Sequence, residues 1–323
     1  MQEAAALKQD IENHIKELNL SNLSPENLYA PMGYILSLKG KRIRPILTLL
    51  AYQGVSGQAP HPAMNLAVSL ELFHNFTLMH DDIMDRAPMR RGQPSVHIKW
   101  DENIAILSGD ALFAFSMGLV VEDFPQYAAP LAKEYARVAM GVCEGQMEDL
   151  DMAQQEQVSI EDYIEMIRKK TAVLLGGCLS LGALAAGASA ELADEMRRYG
   201  EMLGIAFQLQ DDLMDAFPPE NFGKQVGGDI IENKKTYLFL KALELANPTQ
   251  KDRLNQLFQE ESDPQAKIEE VLGIYRATEI PQRTQELIEY YFQQATQLSQ
   301  SLSQQVNFSG IQQYLGVIAK RVV

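Results

Sequence analysis

Along this chain apolar residues recur three and four apart, and nowhere do they settle into the two-residue alternation of a half-buried strand. Pro, Gly, Ser and Asn punctuate the periodic stretches. Ser24-Pro25-Glu26 reads as a cap followed by proline at the first helical position. Ser159-Ile160-Glu161-Asp162 sets a cap and acidic residues at another helix start, where both are favoured. Asn247-Pro248, Asp263-Pro264 and Glu279-Ile280-Pro281 open later helices, and Pro218-Pro219 closes one. The pattern predicts an all-α protein, a single-domain bundle of roughly ten or more helices over residues 1–323. Most connections are short. Two are longer, residues 86–100 and 216–234, and long connections in a compact domain usually carry function.

The longest uncharged run, residues 172–190, is rich in Gly and Ala and interrupted by Ser180 and Ser189. It is marginal in length for a membrane span, and a helix buried on all sides explains it better. The N-terminus is charged and amphipathic and lacks the apolar centre of a signal peptide. The expectation is a soluble, cytoplasmic protein with no stable membrane insertion. With 323 residues, 46% of them hydrophobic, a sizeable core is available. Acidic residues outnumber basic ones, 43 to 28, for a net charge of -15. That balance argues against nucleic acid or anionic lipid as a partner. An anionic substrate would have to be met by a local basic patch or by bound metal. Cys143 and Cys178 both sit in apolar surroundings and read as buried free thiols.

Candidate chemistry begins with a phrase that occurs twice. Asp81-Asp82-Ile83-Met84-Asp85 recurs as Asp211-Asp212-Leu213-Met214-Asp215. In each copy the outer aspartates stand four apart and share one helix face. Two such faces across a cleft would crowd carboxylates that cannot remain together unpaired. Hard divalent cations relieve the crowding, and oxygen ligands with room for water and phosphate suit Mg²⁺. The alternative is a pair of solvated acidic helix surfaces.

Basic groups follow each copy. The first lies on a helix predicted from about Pro62 to Met84, with Arg90-Arg91-Gly92 just beyond. These arginines form either surface pairs of little energetic weight or the second half of a metal-bridged polyphosphate site. The second copy ends a helix reading Phe207-Gln208-Leu209-Gln210. The connection after it holds Gly223-Lys224, Gly227-Gly228-Asp229 and Lys234-Lys235-Thr236, a glycine-rich loop with point-charge phosphate binders. Lys39-Gly40-Lys41-Arg42-Ile43-Arg44-Pro45 opens an apolar helix, as a plain basic cap or as a second phosphate site. Lys169-Lys170-Thr171 runs into the apolar stretch, either snorkelling at a helix end or serving chemistry. No serine or cysteine triad and no Walker loop suggests itself. Metal-assisted loss of a diphosphate leaving group fits these ligands.

Taken in order, Gly40-Lys41-Arg42-x-Arg44-Pro45, His74, the first DDxxD, Arg90-Arg91-Gly92, Lys170-Thr171, Phe207-Gln208, the second DDxxD, Gly223-Lys224 and Lys234-x-Thr236 resemble the trans-type isoprenyl (polyprenyl) diphosphate synthases, short-chain type, over nearly the whole chain. The resemblance implies helices around a deep central cavity and a homodimer. It implies a prenyltransferase that joins isopentenyl diphosphate to C5, C10 and C15 allylic diphosphates. Asp81, Asp85 and Asp211 would coordinate three Mg²⁺, with Mn²⁺ able to substitute, and Asp82 and Asp215 would support them. Arg90, Lys170, Lys224 and Lys234 would grip the allylic diphosphate. Lys41, Arg44, His74 and Arg91 would bind that of isopentenyl diphosphate, and Thr171 and Gln208 would lie near the reacting carbons.

Product length should depend on what lies beneath Asp81 along its helix: Thr77 four residues before, Phe76 five, Phe73 eight. An aromatic at the fifth position, a small residue at the fourth and no insertion in the motif resemble the C20 pattern, with Phe76 as the candidate floor. Geranylgeranyl diphosphate is the expected product, and farnesyl diphosphate or a longer chain the alternative. A class I terpene cyclase would normally replace the second acidic motif and has no use for a second diphosphate site. A regulatory subunit could dispense with an aspartate motif, yet both are intact.

Overall fold

The computed structural model describes residues 2–219, 226–259 and 263–320. Among them the long elements are all helices: Gln2–Glu17, Glu26–Ser37, Ile43–Ser56, Met64–Met84, Glu102–Glu122, Ala128–Gln154, Val173–Ala185, Ala190–Ala216, Pro248–Gln259, Pro264–Ala277, Ile280–Ser301 and Ser309–Lys320, with Ile160–Ile167 and Tyr237–Leu245 shorter. The all-α expectation holds. Local punctuation explains several boundaries. Ser159 Oγ accepts from the Asp162 backbone N–H at 3.0 Å, and Asp162 Oδ2 accepts from the Ser159 N–H at 3.1 Å, a complete capping box. Asp263 Oδ1 accepts from the Ala266 N–H at 2.9 Å. At Ser24-Pro25 the details differ from expectation. Proline itself occupies the cap, with ψ 141°, after a cis peptide bond, and the helix starts at Glu26.

Residues 86–100 hold the only strand pairing among the described residues. Met89 faces Pro94 and Arg90 faces Gln93 in a two-residue antiparallel ladder. Arg91 and Gly92 turn it with φ 53° and 76°, the pair of positive values that a type I′ hairpin turn demands. Strands of two residues are too short to leave an alternation in the sequence.

The chain folds as two compact units. The first comprises Met1–Arg137, Gly177–Met196 and Ser303–Val322. Its central helix, Met64–Met84, is buried on nearly every face up to Met79 and packs on Glu102–Glu122 and Ile43–Ser56. The second unit comprises Val138–Gly176 and Arg197–Leu302. Its core gathers Tyr163, Leu209, Phe239, Leu254, Val271, Tyr275 and Ile288.

The run at 172–190 forms the helix Val173–Ala185, whose Leu174, Cys178, Leu179 and Leu181 are buried as expected. A different helix is long and apolar enough to cross a bilayer. It is Glu102–Glu122, with mean hydropathy 2.0 and only 39% of its apolar stretch buried. Asp110 interrupts it, so a search for uncharged runs passes over it. The cysteine reading needs correcting at one position. Cys178 is buried, and desolvation pushes its thiol up to about 12, whereas Cys143 is exposed. Cys143 follows the buried Val142 on Ala128–Gln154, and one step along a helix turns it to the outer face.

Candidate active site

In the first unit the basic segment after Leu38 divides its labour. Arg42, held at φ 53°, points inward. Its Nη1 donates to Glu71 Oε1 at 2.6 Å, and its Nη2 to the carbonyls of Leu36 at 2.7 Å and Leu38 at 3.3 Å. Both side chains are buried, 4% and 2% exposed. Asn75 Nδ2 donates to the Glu71 carbonyl at 2.7 Å. Arg42 is therefore an anchor that fixes the segment, leaving Lys41 exposed beside it. Sequence grouped all three cations together, and only the buried acid on the neighbouring helix separates them.

Arg44, His74 and Arg91 share one electrostatic neighbourhood. Arg44 Nε is buried with no hydrogen-bond partner among the described residues. Burial depresses the Arg44 guanidinium, with Cys178 and Glu71 acting the other way. Burial first, then Arg44, Arg91, Arg90 and Arg42, hold His74 well below its usual 6.5. Arg91 lies against Gly40, where a Cβ would stand 2.9 Å from Arg91 Nη1, so glycine permits the close approach. A neutral imidazole among guanidiniums makes a polar, anion-seeking surface.

The first acidic phrase occupies the last turn of Met64–Met84. Asp81 is half-buried and Asp85 exposed. Asp82 is buried. Its Oδ1 accepts from Arg90 Nε at 2.9 Å and from Arg90 Nη2, and its Oδ2 has no hydrogen-bond partner among the described residues. Arg90 is thus tied back to the phrase it follows. N-terminal to Asp81, Phe73 and Phe76 belong to an aromatic layer that sequence only half revealed. Phe76 stacks on Phe113 at 5.2 Å, Phe73 meets Phe113 at 5.9 Å and Tyr135 at 5.6 Å, and His80 packs on Phe76 at 4.8 Å. Phe113 and Tyr135 come from other helices, so only the fold unites them. Thr77 donates to the His74 carbonyl at 2.9 Å.

In the second unit Lys169-Lys170-Thr171 does not end a helix. It sits in a π-helical turn, Arg168–Ala172, between Ile160–Ile167 and Val173–Ala185. Such bulges favour functional sites because they turn side chains out of register. Gly145 allows the turn to lie against Ala128–Gln154: a Cβ there would come within 2.2 Å of Lys170 N. Lys170 Nζ pairs with Asp149 at 2.5 Å. Thr171 Oγ1 donates to Gln208 Oε1 at 3.0 Å, and Gln208 Nε2 donates to Asp212 Oδ1 at 3.0 Å. Tyr163 donates to Asp212 Oδ2. Burial pushes Asp212 up to about 7, against the two hydrogen bonds that it accepts. These groups, with Lys234 and Asp229, line a cavity of about 160 Å³.

The second phrase is split three ways. Asp211 is exposed and Asp212 is buried. Asp215 holds the segment that follows: Oδ1 accepts from the Gly228 N–H at 3.2 Å, Oδ2 from the Asp229 N–H at 3.0 Å, and its carbonyl from the Gly227 N–H at 2.8 Å. Lys234 pairs with Glu232 at 2.8 Å and Asp229 at 3.3 Å. Lys224 lies outside the described residues. Sequence reasoning missed Tyr163 and Asp149 as site residues and gave Asp212, though part of the second phrase, no role of its own. Tyr163 carries no motif, and only packing reveals its partner.

The donor set suits a hard cation. Each phrase offers carboxylate oxygens one helical turn apart. Among the described residues no three His, Cys, Asp or Glu side chains form a metal cage. Mg²⁺ is commonly held by one or two carboxylates, with water and substrate phosphate completing the octahedron, so the residues fit. The buried Asp82 Oδ2 adds an acceptor that has no donor among the described residues.

Residues 25–275 match the family described as polyprenyl synthetase. A geranylgeranyl diphosphate synthase of Methanosarcina mazei is 42% identical over 223 residues, 68% of this chain and 68% of that protein. A geranylfarnesyl diphosphate synthase of Natronomonas pharaonis is 36% identical over 260 residues, covering 75% and 76%. Among solved structures, a geranylgeranyl pyrophosphate synthetase from Pyrococcus horikoshii superposes with TM-score 0.89 at 31% identity, over 99% of this chain and 97% of that one. The chain belongs to the polyprenyl synthetase family.

Proposed function

We propose that this protein condenses isopentenyl diphosphate with allylic diphosphates head to tail, releasing inorganic diphosphate and stopping at C20 geranylgeranyl diphosphate. The observation that carries the reading is the Arg44, His74 and Arg91 cluster. It gives the first unit an anion site of its own, besides the cations Lys170 and Lys234 of the second. Two diphosphate sites suit a condensation and have no use in a cyclase. Asp81, Asp85 and Asp211 would hold Mg²⁺, three ions in all, with Asp82 and Asp215 in support. Bound Mg²⁺ supplies charge withdrawal that eases departure of a diphosphate.

The chain's own residues supply the rest. Lys170, Lys234 and Lys224 bind the allylic diphosphate as point charges, joined by Arg90. Lys41, Arg44, Arg91 and neutral His74 orient isopentenyl diphosphate so that its double bond meets the allylic carbon. Thr171 presents oxygen to the positive charge that develops there, and Gln208 stands behind its hydroxyl. The leaving diphosphate takes the final proton, so no side chain is needed as a dedicated base. Phe76, Phe73 and Thr77 limit chain growth. C20 is favoured over farnesyl diphosphate because the aromatic, Phe76, stands five residues before Asp81 with the smaller Thr77 at the fourth position.

The protein acts as a single catalytic domain, in the cytoplasm, and as a homodimer. The outward residues of Glu102–Glu122, among them Ile106, Leu107 and Met117, give it an apolar face that a second copy would cover. One incubation tests the reaction. Purified protein, Mg²⁺ and labelled isopentenyl diphosphate are combined with C5, C10 or C15 allylic diphosphate. Elongated, acid-labile product is expected. Cyclic hydrocarbon without isopentenyl incorporation would make it a cyclase. Turnover only after adding a homologous chain would make it a subunit.

A further inference from the structure

The mechanism above uses Thr171 and Gln208 but not the two groups behind them. Tyr163 and Asp212 are both buried, 3% and 4% exposed, and neither is needed to hold a substrate. A glutamine amide can present its oxygen or its NH₂ to a given neighbour, and the hydrogen-bond network decides which. Here the network runs in one direction. Asp212 accepts from Tyr163 at Oδ2 and from Gln208 Nε2 at Oδ1. With Asp212 as the carboxylate, the amide turns its oxygen to Thr171, and Thr171 spends its only hydroxyl proton on that oxygen. What the hydroxyl retains toward the cavity is lone pairs.

We propose that Tyr163 and Asp212 are positioning residues that set this polarity, so that Thr171 presents an acceptor to the cationic carbon. The proposal rests on the prenyl-transfer reading. A reversed amide would donate to Thr171 and free its proton to point at a developing positive charge, which is repulsive. Tyr163 matters because it fills the second oxygen of a buried carboxylate that would otherwise be left half satisfied.

The arrangement makes an unusual rescue available. In Asp212→Asn, the new amide accepts from Tyr163 and turns its NH₂ to Gln208. That reverses the Gln208 amide and the Thr171 hydroxyl with it. In the double variant Asp212→Asn with Gln208→Glu, the NH₂ at 212 donates to one carboxylate oxygen at 208. Thr171 then donates to the other, and the original polarity returns. Steady-state elongation is measured with both diphosphates varied, below the melting temperature of each variant. Asp212→Asn should lower kcat at least about tenfold, with KM values within about twofold. The double variant should recover most of that loss. Tyr163→Phe should lower kcat severalfold in the wild-type background and scarcely at all in Thr171→Val.

The readout separates polarity from charge and from folding. In a Thr171→Val background the swap at 208 and 212 should bring no recovery, because no hydroxyl remains to orient. Wild-type kcat in Asp212→Asn, a loss confined to KM, recovery that persists without Thr171, or multiplicative effects of Tyr163→Phe and Thr171→Val would each overturn the proposal. If Tyr163→Phe does not fold, the comparison of Asp212→Asn with the double variant decides alone. Absence of elongation by the unaltered protein would instead remove the prenyl-transfer reading, and this proposal with it.

Discussion

Phe76 stacks on Phe113 and meets Phe73 at 5.6 Å, one turn N-terminal to the first acidic phrase. Truncating it opens space in a close-packed aromatic layer where a growing apolar tail would otherwise stop. Phe76→Ala should therefore lengthen the product, and Phe113→Ala should do so as well, read by chromatography of labelled alcohols after dephosphorylation. Unchanged lengths in both would remove the layer from length control. His74 gives a pH prediction. Its folded pKa lies well below 6.5, so in the unfolded chain it takes up a proton that the folded imidazole refuses. Stability should fall as pH drops through 6.5 and below, and His74→Gln, which stays neutral throughout, should remove that share of acid sensitivity in urea unfolding. The candidate ligands and cations were legible in sequence because charge at fixed spacing is a local signal. Arg42 was not. Its neighbours Lys41 and Arg44 have the same chemistry, and only Glu71, brought in by another helix, makes it an anchor. Removing one partner of so buried a pair leaves an uncompensated charge, so Arg42→Met should cost about 3–5 kcal/mol in denaturant unfolding.

At the scale of elements, the segment from Gly227 to Thr236 is held by contacts that its own sequence does not announce. Asp215 caps its start. Lys235 Nζ donates to the Met152 carbonyl at 3.0 Å and to that of Gln155, at the end of Ala128–Gln154. Lys267 is buried, donates to Asn233, and lies 5.0 Å from the Phe258 ring centroid. Asn233, at φ 58°, directly precedes Lys234. Lys267→Met keeps the length of the chain and removes the tether. It should raise KM for the allylic diphosphate about tenfold while leaving that for isopentenyl diphosphate unchanged. Equal changes in both would assign Lys267 to stability alone. Helix boundaries were largely readable, since capping and proline act locally. The π-helical turn at Arg168–Ala172 was not. It depends on the approach of Gly145, and a run of two lysines and a threonine looks the same at a helix end.

For the whole molecule, a net charge of -15 with a local group of cations in each unit makes local electrostatics, rather than overall charge, the means of holding anions. The apolar outer face of Glu102–Glu122 is the other molecular-scale feature. Leu107→Glu combined with Met117→Glu should convert a dimer to a monomer in sedimentation velocity, because a charge buried without a partner is unfavourable. An unchanged sedimentation coefficient would place the contact elsewhere. Helical class was readable from periodicity alone, whereas the division into two units was not, because it depends on packing between residues far apart in sequence. The central claim, condensation of two diphosphates, is tested most directly by stoichiometry. Farnesyl diphosphate, labelled isopentenyl diphosphate and Mg²⁺ are incubated with the purified protein, and product and free diphosphate are quantified together. One diphosphate released for each isopentenyl unit incorporated, with label in a C20 diphosphate, is the predicted result. Diphosphate released without incorporation would contradict it.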